Sequence, residues 1–190
     1  MLQKLEFKRE ANLIGGQWTG ADGGRTIDVN DPANGDVIGT VPRCGAAETR
    51  RAIEAADKAF PEWSRRTGAE RAEALRRLAA VIEQNKEELA MLLTVEQGKP
   101  LAESRTEVAS SAAYVLWFAE EARRIYGDTI PSPWADRRIL VLKQPVGVVA
   151  AITPWNFPSS MIARKLGPAL ATGCTMVVKP ASQTPYSGLA

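Results

Sequence analysis

The fold depends on the stretch VGVVAAITPWNFP, which occupies residues 146–158. Residues 146–152 are apolar throughout, which is typical of a strand buried on both faces of a parallel sheet. A helix is predicted from about residue 160 to residue 172, and TMVV at residues 175–178 indicates a second buried strand. Thr184 and Pro185 have the form of a helix cap and a first helical residue. This order predicts the start of a doubly wound, Rossmann-type parallel sheet of the α/β class.

Regions of different composition precede this sheet. Residues 1–45 are rich in Gly, Asn, Asp and Pro, which indicates short strands and hairpins. The spacing of apolar residues predicts helices over residues 46–127. Connecting strands are predicted over residues 128–145. Within residues 146–190 the sheet has only two strands, so we expect the chain to be a truncated piece, completed by further residues or by a partner.

Three helices are predicted within residues 46–127. The first is expected to end near Pro61. The second helix is expected to begin at a capping box whose first residue is Thr67, and to end at Gly98. The third helix is expected to start at Pro100. Their arginines and glutamates are interspersed at helical spacing, which indicates solvent-exposed faces, although a binding surface would have the same composition.

The composition excludes several classes of function. A net charge of +2 over 190 residues gives no strong field for nucleic acid or an anionic membrane. With no histidine, the chain can form neither a Ser-His-Asp triad nor a histidine metal site, and no metal is predicted. Cys44 and Cys174 lack the spacing of a zinc site or a disulfide framework. Since no signal peptide or membrane-length apolar run is recognised, we expect a reduced, cytoplasmic protein.

Chemistry is predicted at the carboxyl ends of the two strands, where ligands bind in open α/β sheets. The first strand is followed by a turn made of Thr153, Pro154, Trp155, Asn156, Phe157 and Pro158. Its two prolines stiffen the backbone, so the Asn156 amide can be held in one orientation, as an oxyanion hole requires. The alternative is that Asn156 caps the following helix and that the two rings belong to the core.

The second strand is followed by Lys179 and Ser182. A lysine offers three N–H donors and a serine offers a hydroxyl, a combination suited to ribose hydroxyls or a phosphate. A lysine reaching solvent beside a turn serine is the open alternative. The sequence contains no GxGxxG or GxxxxGK[ST] loop, so no standard phosphate loop supports nucleotide binding.

Arg164 lies in an otherwise apolar helix, one turn or roughly 6 Å of rise beyond its expected start. Its guanidinium could clamp a carboxylate near the Asn156 turn, and a surface arginine is the alternative. Cys174 is rejected as a nucleophile, because a thiol at the start of an apolar strand is expected to be buried and has no basic neighbour in sequence.

Two segments, ITPWNFP at residues 152–158 and VKPASQTP at residues 178–185, resemble the signature segments of the NAD(P)-dependent aldehyde dehydrogenases. Supporting matches occur at residues 30–35, 96–100 and 127–131. The resemblance spans essentially the whole chain. It implies an aldehyde-dehydrogenase-like fold in which the helical region and residues 146–190 belong to the cofactor-binding domain and residues 128–145 contribute oligomerisation strands.

The resemblance also implies roles for the site residues. Asn156 would donate its amide to the oxyanion of a thiohemiacetal, and Lys179 would bond the adenosine ribose of the cofactor. The cofactor groove would be lined by Ile152, Thr153, Pro154 and Trp155. In many NAD-preferring relatives a glutamate stands where this chain has Ser182. Serine removes the repulsion of a 2′-phosphate, so NADP is the expected cofactor and NAD the alternative.

The chain is similar to the succinate-semialdehyde dehydrogenases at three places, namely residues 125–131, Arg164 and residues 179–185. In those enzymes an arginine at the position of Arg164 helps hold the distal carboxylate. The resemblance therefore implies oxidation of succinate semialdehyde to succinate, with glutarate semialdehyde as an alternative. It also implies a small-molecule aldehyde as the partner and assembly into a homo-oligomer, a dimer or a tetramer.

The family's catalytic cysteine and general-base glutamate match nothing in this sequence. We therefore expect the parent protein to be the enzyme and these 190 residues to be inactive by themselves. The alternative is a non-catalytic module that binds cofactor or takes part in assembly.

Overall fold

The computed structural model describes residues 5–190, which contain strands β1–β8. These strands pair into four two-stranded sheets, of which three are antiparallel and the last is parallel. The pairs are β1 (Asn12–Ile14) with β2 (Gln17–Thr19), β3 (Thr26–Asn30) with β4 (Val37–Pro42), β5 (Asp128–Ile130) with β6 (Ile139–Val141), and β7 (Val148–Ile152) with β8 (Thr175–Lys179). The predicted hairpins and the predicted parallel pair are thus both present.

The helices α1–α6 occupy most of the remaining chain. Their bounds are α1 (Ala46–Arg65), α2 (Gly68–Gln84), α3 (Lys86–Gln97), α4 (Leu101–Glu121), α5 (Pro158–Ala171) and α6 (Tyr186–Leu189). A short 3₁₀ turn, Ala122–Arg124, extends α4. Because α5 connects the two parallel strands, β7, α5 and β8 form the strand–helix–strand unit that the sequence predicts.

The expected end of the first helix near Pro61 is wrong, because Pro61 lies inside α1. Proline removes one hydrogen-bond donor from a helix, which disfavours its continuation. The last turn of α1 is nevertheless held from outside, since Trp63 Nε1 donates to the backbone oxygen of Leu170 at 3.2 Å. A tertiary contact therefore overrides the local preference.

The second predicted helix is also wrong in length, because it is divided at Asn85 into α2 and α3. The capping box at Thr67 is present and Gly98 ends α3, as predicted. Asn85 Nδ2 donates to the backbone oxygen of Val81 at 2.8 Å, and this oxygen also accepts the backbone N–H of Asn85 at 3.2 Å, so the side chain shares a helix acceptor at the break. The leucines of α3 join two separate core clusters, one of which also includes Ile82 of α2.

The main core lies where α2, α4 and α5 meet, with Leu75, Val115 and Ala163 buried between them. A second cluster packs α3 against β3, β4 and α6, and its centre is Leu92 with Tyr186. These two clusters fix α4 beside α5 and α3 beside α6.

Strand β7 is less buried than its sequence predicts. Of its five residues only Ala151 is buried, and Ile152 is 73% exposed. Ala150 and Ile152 project to the same side of the strand, and both are exposed. Within residues 5–190, the helices α1 and α5 pack against the β7–β8 pair, but they leave this side uncovered.

Helix starts near the site also differ slightly from the predicted positions. α5 begins at Pro158, two residues earlier than expected, with proline in its first turn. The cap of α6 is Pro185, so Thr184 is not the cap residue. Differences of this size are usual where a helix ends, but the earlier start of α5 moves Arg164 further along the helix.

Replacing Gly98 with alanine is expected to destabilise the protein more than replacing Gly35. Both glycines have a positive φ, +86° and +82°, so either substitution costs about 1–2 kcal/mol of backbone strain. A Cβ at Gly98 would also lie 2.7 Å from Cγ of Pro32, whereas a Cβ at Gly35 would meet no atom within 4 Å. Urea denaturation measures the two losses, and equal losses would show that the contact with Pro32 is unimportant.

Candidate active site

Two loops begin side by side at one edge of the parallel pair. We call residues 153–158 the Asn156 turn and residues 179–185 the Lys179 loop. Ile152 pairs with Lys179 in the strand register, and Thr153 N donates to the Lys179 backbone oxygen at 3.2 Å. The two segments that the sequence singles out therefore leave the sheet as neighbours, as expected for the carboxyl ends of parallel strands.

The alternative interpretation of the Asn156 turn, a helix cap with two core rings, is wrong. The N-cap residue of α5 is Phe157, and no side chain of the cap residue makes a capping hydrogen bond. Asn156 is exposed, and the residues Trp155 and Phe157 are 54% and 46% exposed. The Asn156 amide is therefore not used as a helix cap, and its N–H donors can reach a ligand.

The Lys179 loop also presents polar groups at this edge. Lys179 and Ser182 are both exposed, and Lys179 Nζ makes a long contact of 3.4 Å with the backbone oxygen of Pro180. A turn closed by Thr184 N and the oxygen of Ala181 follows, at 3.3 Å. These positions fit the ligand interpretation of Lys179 and Ser182 and equally fit a solvent-reaching lysine.

A buried ion pair between Lys99 and Glu107 holds the Asn156 turn in place. Glu107 Oε2 and Lys99 Nζ lie 2.6 Å apart, with side-chain exposures of only 2% and 8%. The other carboxylate oxygen of Glu107 accepts the backbone N–H groups of Ser159 at 3.0 Å and Ser160 at 3.2 Å. Lys99 Nζ also donates to the backbone oxygen of Asn156 at 3.0 Å. The pair thus contacts the backbone on both sides of Phe157, at Asn156 in the turn and at the start of α5.

A second buried glutamate supports the Lys179 loop where it enters α6. The carboxylate of Glu96 accepts the backbone N–H groups of Tyr186 and Ser187, each at 2.7 Å. Burial raises the pKa of the Glu96 carboxyl to about 7, although the two N–H donors favour its anion. Glu96 therefore fixes the end of the loop that carries Lys179 and Ser182.

Sequence reasoning missed the functions of Glu96, Lys99 and Glu107. In the sequence, residues 96–100 serve only as a supporting match to the aldehyde dehydrogenases. The arginines and glutamates of the helices are assigned to solvent-exposed faces. For Glu96 and Glu107 that assignment is wrong, since both are buried. The sequence contained one indication that Glu107 is buried. Glu107 directly precedes Val108, where the apolar stripe of α4 begins, and Glu107 shares a helix face with Ser104 and Ser111.

Arg164 lies in a cleft of about 590 Å³ between α4 and α5. Lining residues include Lys99, Thr106, Tyr114, Phe157, Met161 and Arg164. Arg164 Nη2 donates to the Tyr114 hydroxyl at 2.9 Å, and the guanidinium lies 4.9 Å from the centre of that ring. Because α5 starts at Pro158, Arg164 is about 9 Å of rise from the helix start, not 6 Å as expected.

The two cysteines have the character of packing residues. Cys174 is 4% exposed and accepts a contact from Thr172 Oγ1 at 3.7 Å. Burial, with Glu48 nearby, raises the pKa of the half-buried Cys44 thiol, which is the reverse of what a nucleophile needs. Among residues 5–190 the structure shows no His, Cys, Asp and Glu cluster able to hold a metal ion, and no helix long and apolar enough to cross a membrane.

The fold and the two loops define the class of protein. Residues 18–190 match the sequence profile of the Aldehyde dehydrogenase family, and the chain belongs to this family. A crystal structure of an NADP-dependent enzyme of Escherichia coli superposes with a TM-score of 0.97 at 56% identity, covering 100% of this chain and 39% of that chain. This likeness confirms the predicted α/β, aldehyde-dehydrogenase-like fold.

Individual relatives act on different semialdehydes. The glutarate-semialdehyde dehydrogenase of Pseudomonas aeruginosa is 61% identical over 189 residues, which are 100% of this chain and 39% of the relative. An NADP(+) succinate-semialdehyde dehydrogenase of Escherichia coli is 58% identical over 97% of this chain and 38% of its own length. The chain thus spans about two fifths of the length of these relatives.

Replacing Glu96 with glutamine is expected to remove a pH-dependent part of the stability. Because the pKa of Glu96 is about 7 in the folded state and near 4.5 when exposed, folding binds the proton more tightly. This stabilisation is complete below the unfolded value and is lost as the pH rises through 7. Urea denaturation at about pH 5 and about pH 8 measures the free energy of unfolding at both ends of this window.

The wild-type protein should therefore lose stability relative to Glu96→Gln as the pH rises. Glu103→Gln, at an exposed position of α4, is the control and should follow the wild type. Parallel pH profiles for the wild type and Glu96→Gln would contradict the raised pKa.

Proposed function

We propose that the protein containing this chain oxidises a small semialdehyde to the carboxylic acid, with succinate semialdehyde as substrate and NADP as cofactor. The observation that carries the proposal is the joint start of the Asn156 turn and the Lys179 loop at the Thr153–Lys179 hydrogen bond. An amide donor and an ammonium group thereby leave the sheet at one edge. Membership of the aldehyde dehydrogenase family supports the same reaction type.

Asn156 supplies the oxyanion donor in this proposal. Attack of a thiolate on the aldehyde carbon moves negative charge onto the aldehyde oxygen, and a fixed amide N–H stabilises that charge. The thiolate and the general base come from the part of the relatives' length that this chain does not span, since Cys44 and Cys174 have the wrong environments. The thioester that remains after oxidation is hydrolysed to the acid.

Lys179 and Ser182 hold the adenosine ribose side of the cofactor in this proposal. Both are exposed at the carboxyl edge of the parallel pair, where nucleotides bind in such sheets. Ile152, Pro154 and Trp155 are exposed beside them and, together with the more buried Thr153, would line the groove. When bound there, NADP would supply the hydride acceptor for the oxidation.

Arg164 recognises the distal carboxylate of the substrate. Its guanidinium stands in the cleft between α4 and α5 and is braced by the Tyr114 hydroxyl. Phe157, which follows Asn156, lines the same cleft, so the cleft connects the anion anchor with the reaction centre. Succinate and glutarate semialdehydes differ by one methylene, which is worth only about 10–200-fold in discrimination, so glutarate semialdehyde is the second candidate substrate.

Assembly into a homo-oligomer in the cytoplasm completes the proposal. The β5–β6 hairpin exposes Leu140 at 68% and, just beyond it, Leu142 at 76%, and an apolar surface of this kind favours association with another copy. On this assignment residues 128–145 are oligomerisation strands and residues 46–127 belong with residues 146–190 to the cofactor-binding domain. A non-catalytic cofactor-binding or assembly module remains the alternative function for a protein limited to these residues.

Arg164→Ala in the full-length enzyme is expected to raise the KM for succinate semialdehyde roughly tenfold or more, because a charged hydrogen bond to the carboxylate is lost. The KM for an uncharged aldehyde of similar size should change little. Lys165→Ala is the control, since Lys165 Nζ contacts the backbone oxygen of Met161 and not Tyr114. Steady-state kinetics with both aldehydes measures this, and equal effects on the two substrates would refute the role of Arg164.

Ser182→Glu is expected to weaken NADP binding roughly tenfold or more while affecting NAD less, because the new carboxylate repels the 2′-phosphate. Gln183→Glu, at the neighbouring exposed position, should leave the ratio of the two affinities nearly unchanged. Titration of the full-length protein with each cofactor measures both constants. If the wild-type protein binds NAD more tightly than NADP, the inference that Ser182 favours NADP is wrong.

A further inference from the structure

The N-terminus of α5 is capped by a residue from another helix. The first N–H groups of a helix have no partner within it, and the side chain of the N-cap residue usually accepts one of them. Phe157 occupies the cap position and has no polar side chain, and Pro158 has no N–H. The next two N–H groups, of Ser159 and Ser160, are both accepted by Glu107 Oε1 from α4.

Lys99 connects this remote cap to the residue that carries the amide. Its ammonium group lies 2.6 Å from Glu107 Oε2, donates to the Asn156 backbone oxygen at 3.0 Å, and lies 4.2 Å from the centre of the Phe157 ring. The backbone of Asn156 is thereby held on its carbonyl side by Lys99, and the helix that follows is held by Glu107. Hydrogen bonds to charged groups are shorter and stronger than neutral ones, so the orientation is well defined.

Two further hydrogen bonds complete the network. The hydroxyls of Ser111 and Ser159 lie 2.8 Å apart, and Ser111 Oγ donates to the backbone oxygen of Glu107 at 2.9 Å. Glu107 and Ser111 are one helical turn apart on the buried face of α4. The start of α5 is therefore tied to a rigid helix of the scaffold and not to another loop.

We propose that Lys99 and Glu107 are positioning residues that aim the Asn156 amide at the substrate oxygen and act on the chemical step through Asn156. This inference rests on the proposed oxidation of an aldehyde. Catalytic groups need an orientation held to within a fraction of an ångström by supporting contacts. Loss of either charge leaves the other buried without a partner, so the turn and the start of α5 rearrange.

A double-mutant cycle in the full-length enzyme tests the coupling. Asn156→Ala should lower kcat about 10²–10³-fold, because an oxyanion donor is removed. Glu107→Gln should lower kcat roughly tenfold or more in the wild-type background and less than about twofold in the Asn156→Ala background, since coupled residues are not additive. The KM for NADP should stay unchanged in all variants.

Glu87→Gln is the matched control. Glu87 also pairs with a cation, Arg105, but this pair is exposed and contacts neither the Asn156 turn nor the Lys179 loop. It should leave kcat unchanged in both backgrounds. If Glu107→Gln does not fold, the neutral double substitution Lys99→Met with Glu107→Gln replaces it, because removing both charges avoids an unpaired buried ion.

An equal loss of kcat from the Glu107 substitution in both backgrounds would overturn the proposal, and so would an unchanged kcat in the wild-type background. If the wild-type enzyme oxidises no aldehyde, the proposed function fails, and amide hydrogen exchange tests the positioning separately. Exchange at Ser159 and Ser160 should then be roughly tenfold faster or more in Glu107→Gln, with Leu75 in α2 unchanged. Unchanged exchange at both serines would overturn the positioning role.

Discussion

The buried carboxylate of Glu107 is the constraint on which the candidate site depends. The side chains of Phe157 and Pro158, at the N-terminus of α5, provide no acceptor for the N–H groups of Ser159 and Ser160, and Glu107 supplies that acceptor from α4. A carboxylate that is 2% exposed needs a counter-charge, and Lys99 provides it. The same ammonium group has a donor left for the Asn156 carbonyl. One ion pair thus caps a helix, neutralises a buried charge and orients a turn.

Glu96 solves the same problem at the other loop, where it accepts two N–H groups at the start of α6. Both loops at the sheet edge are therefore held by the α3–α4 pair, and Glu96 and Lys99 are only three residues apart. Gly98 permits the close turn between the two helices, because its φ of +86° suits glycine. The polar ends of both loops are fixed by side chains from a scaffold whose apolar faces are packed elsewhere, so the site does not depend on loop rigidity alone.

Much of the fold follows from local patterns. The hairpins before Ala46, the parallel pair and the end of α3 at Gly98 lie where turn residues and apolar periodicity predict them. Three expectations fail, and two of them fail because contacts between distant segments decide the outcome. The hydrogen bond from Trp63 to Leu170 stabilises the part of α1 that follows Pro61. Asn85 divides a continuous helical pattern. The exposure of Ile152 depends on what covers the sheet, which no pattern within the strand contains.

By itself the sequence determined the order of the elements and the residue types of the two loops, because hydrophobic period and turn chemistry act over a few neighbouring residues. It also indicated that Asn156 and Lys179 follow adjacent strands. Only the tertiary structure decided which glutamates are buried and which loop each one holds. Glu107 meets Ser159 across 52 positions and Glu96 meets Tyr186 across 90. At such separations a carboxylate on an amphipathic helix looks the same whether it faces water or a helix terminus, and only packing distinguishes the two.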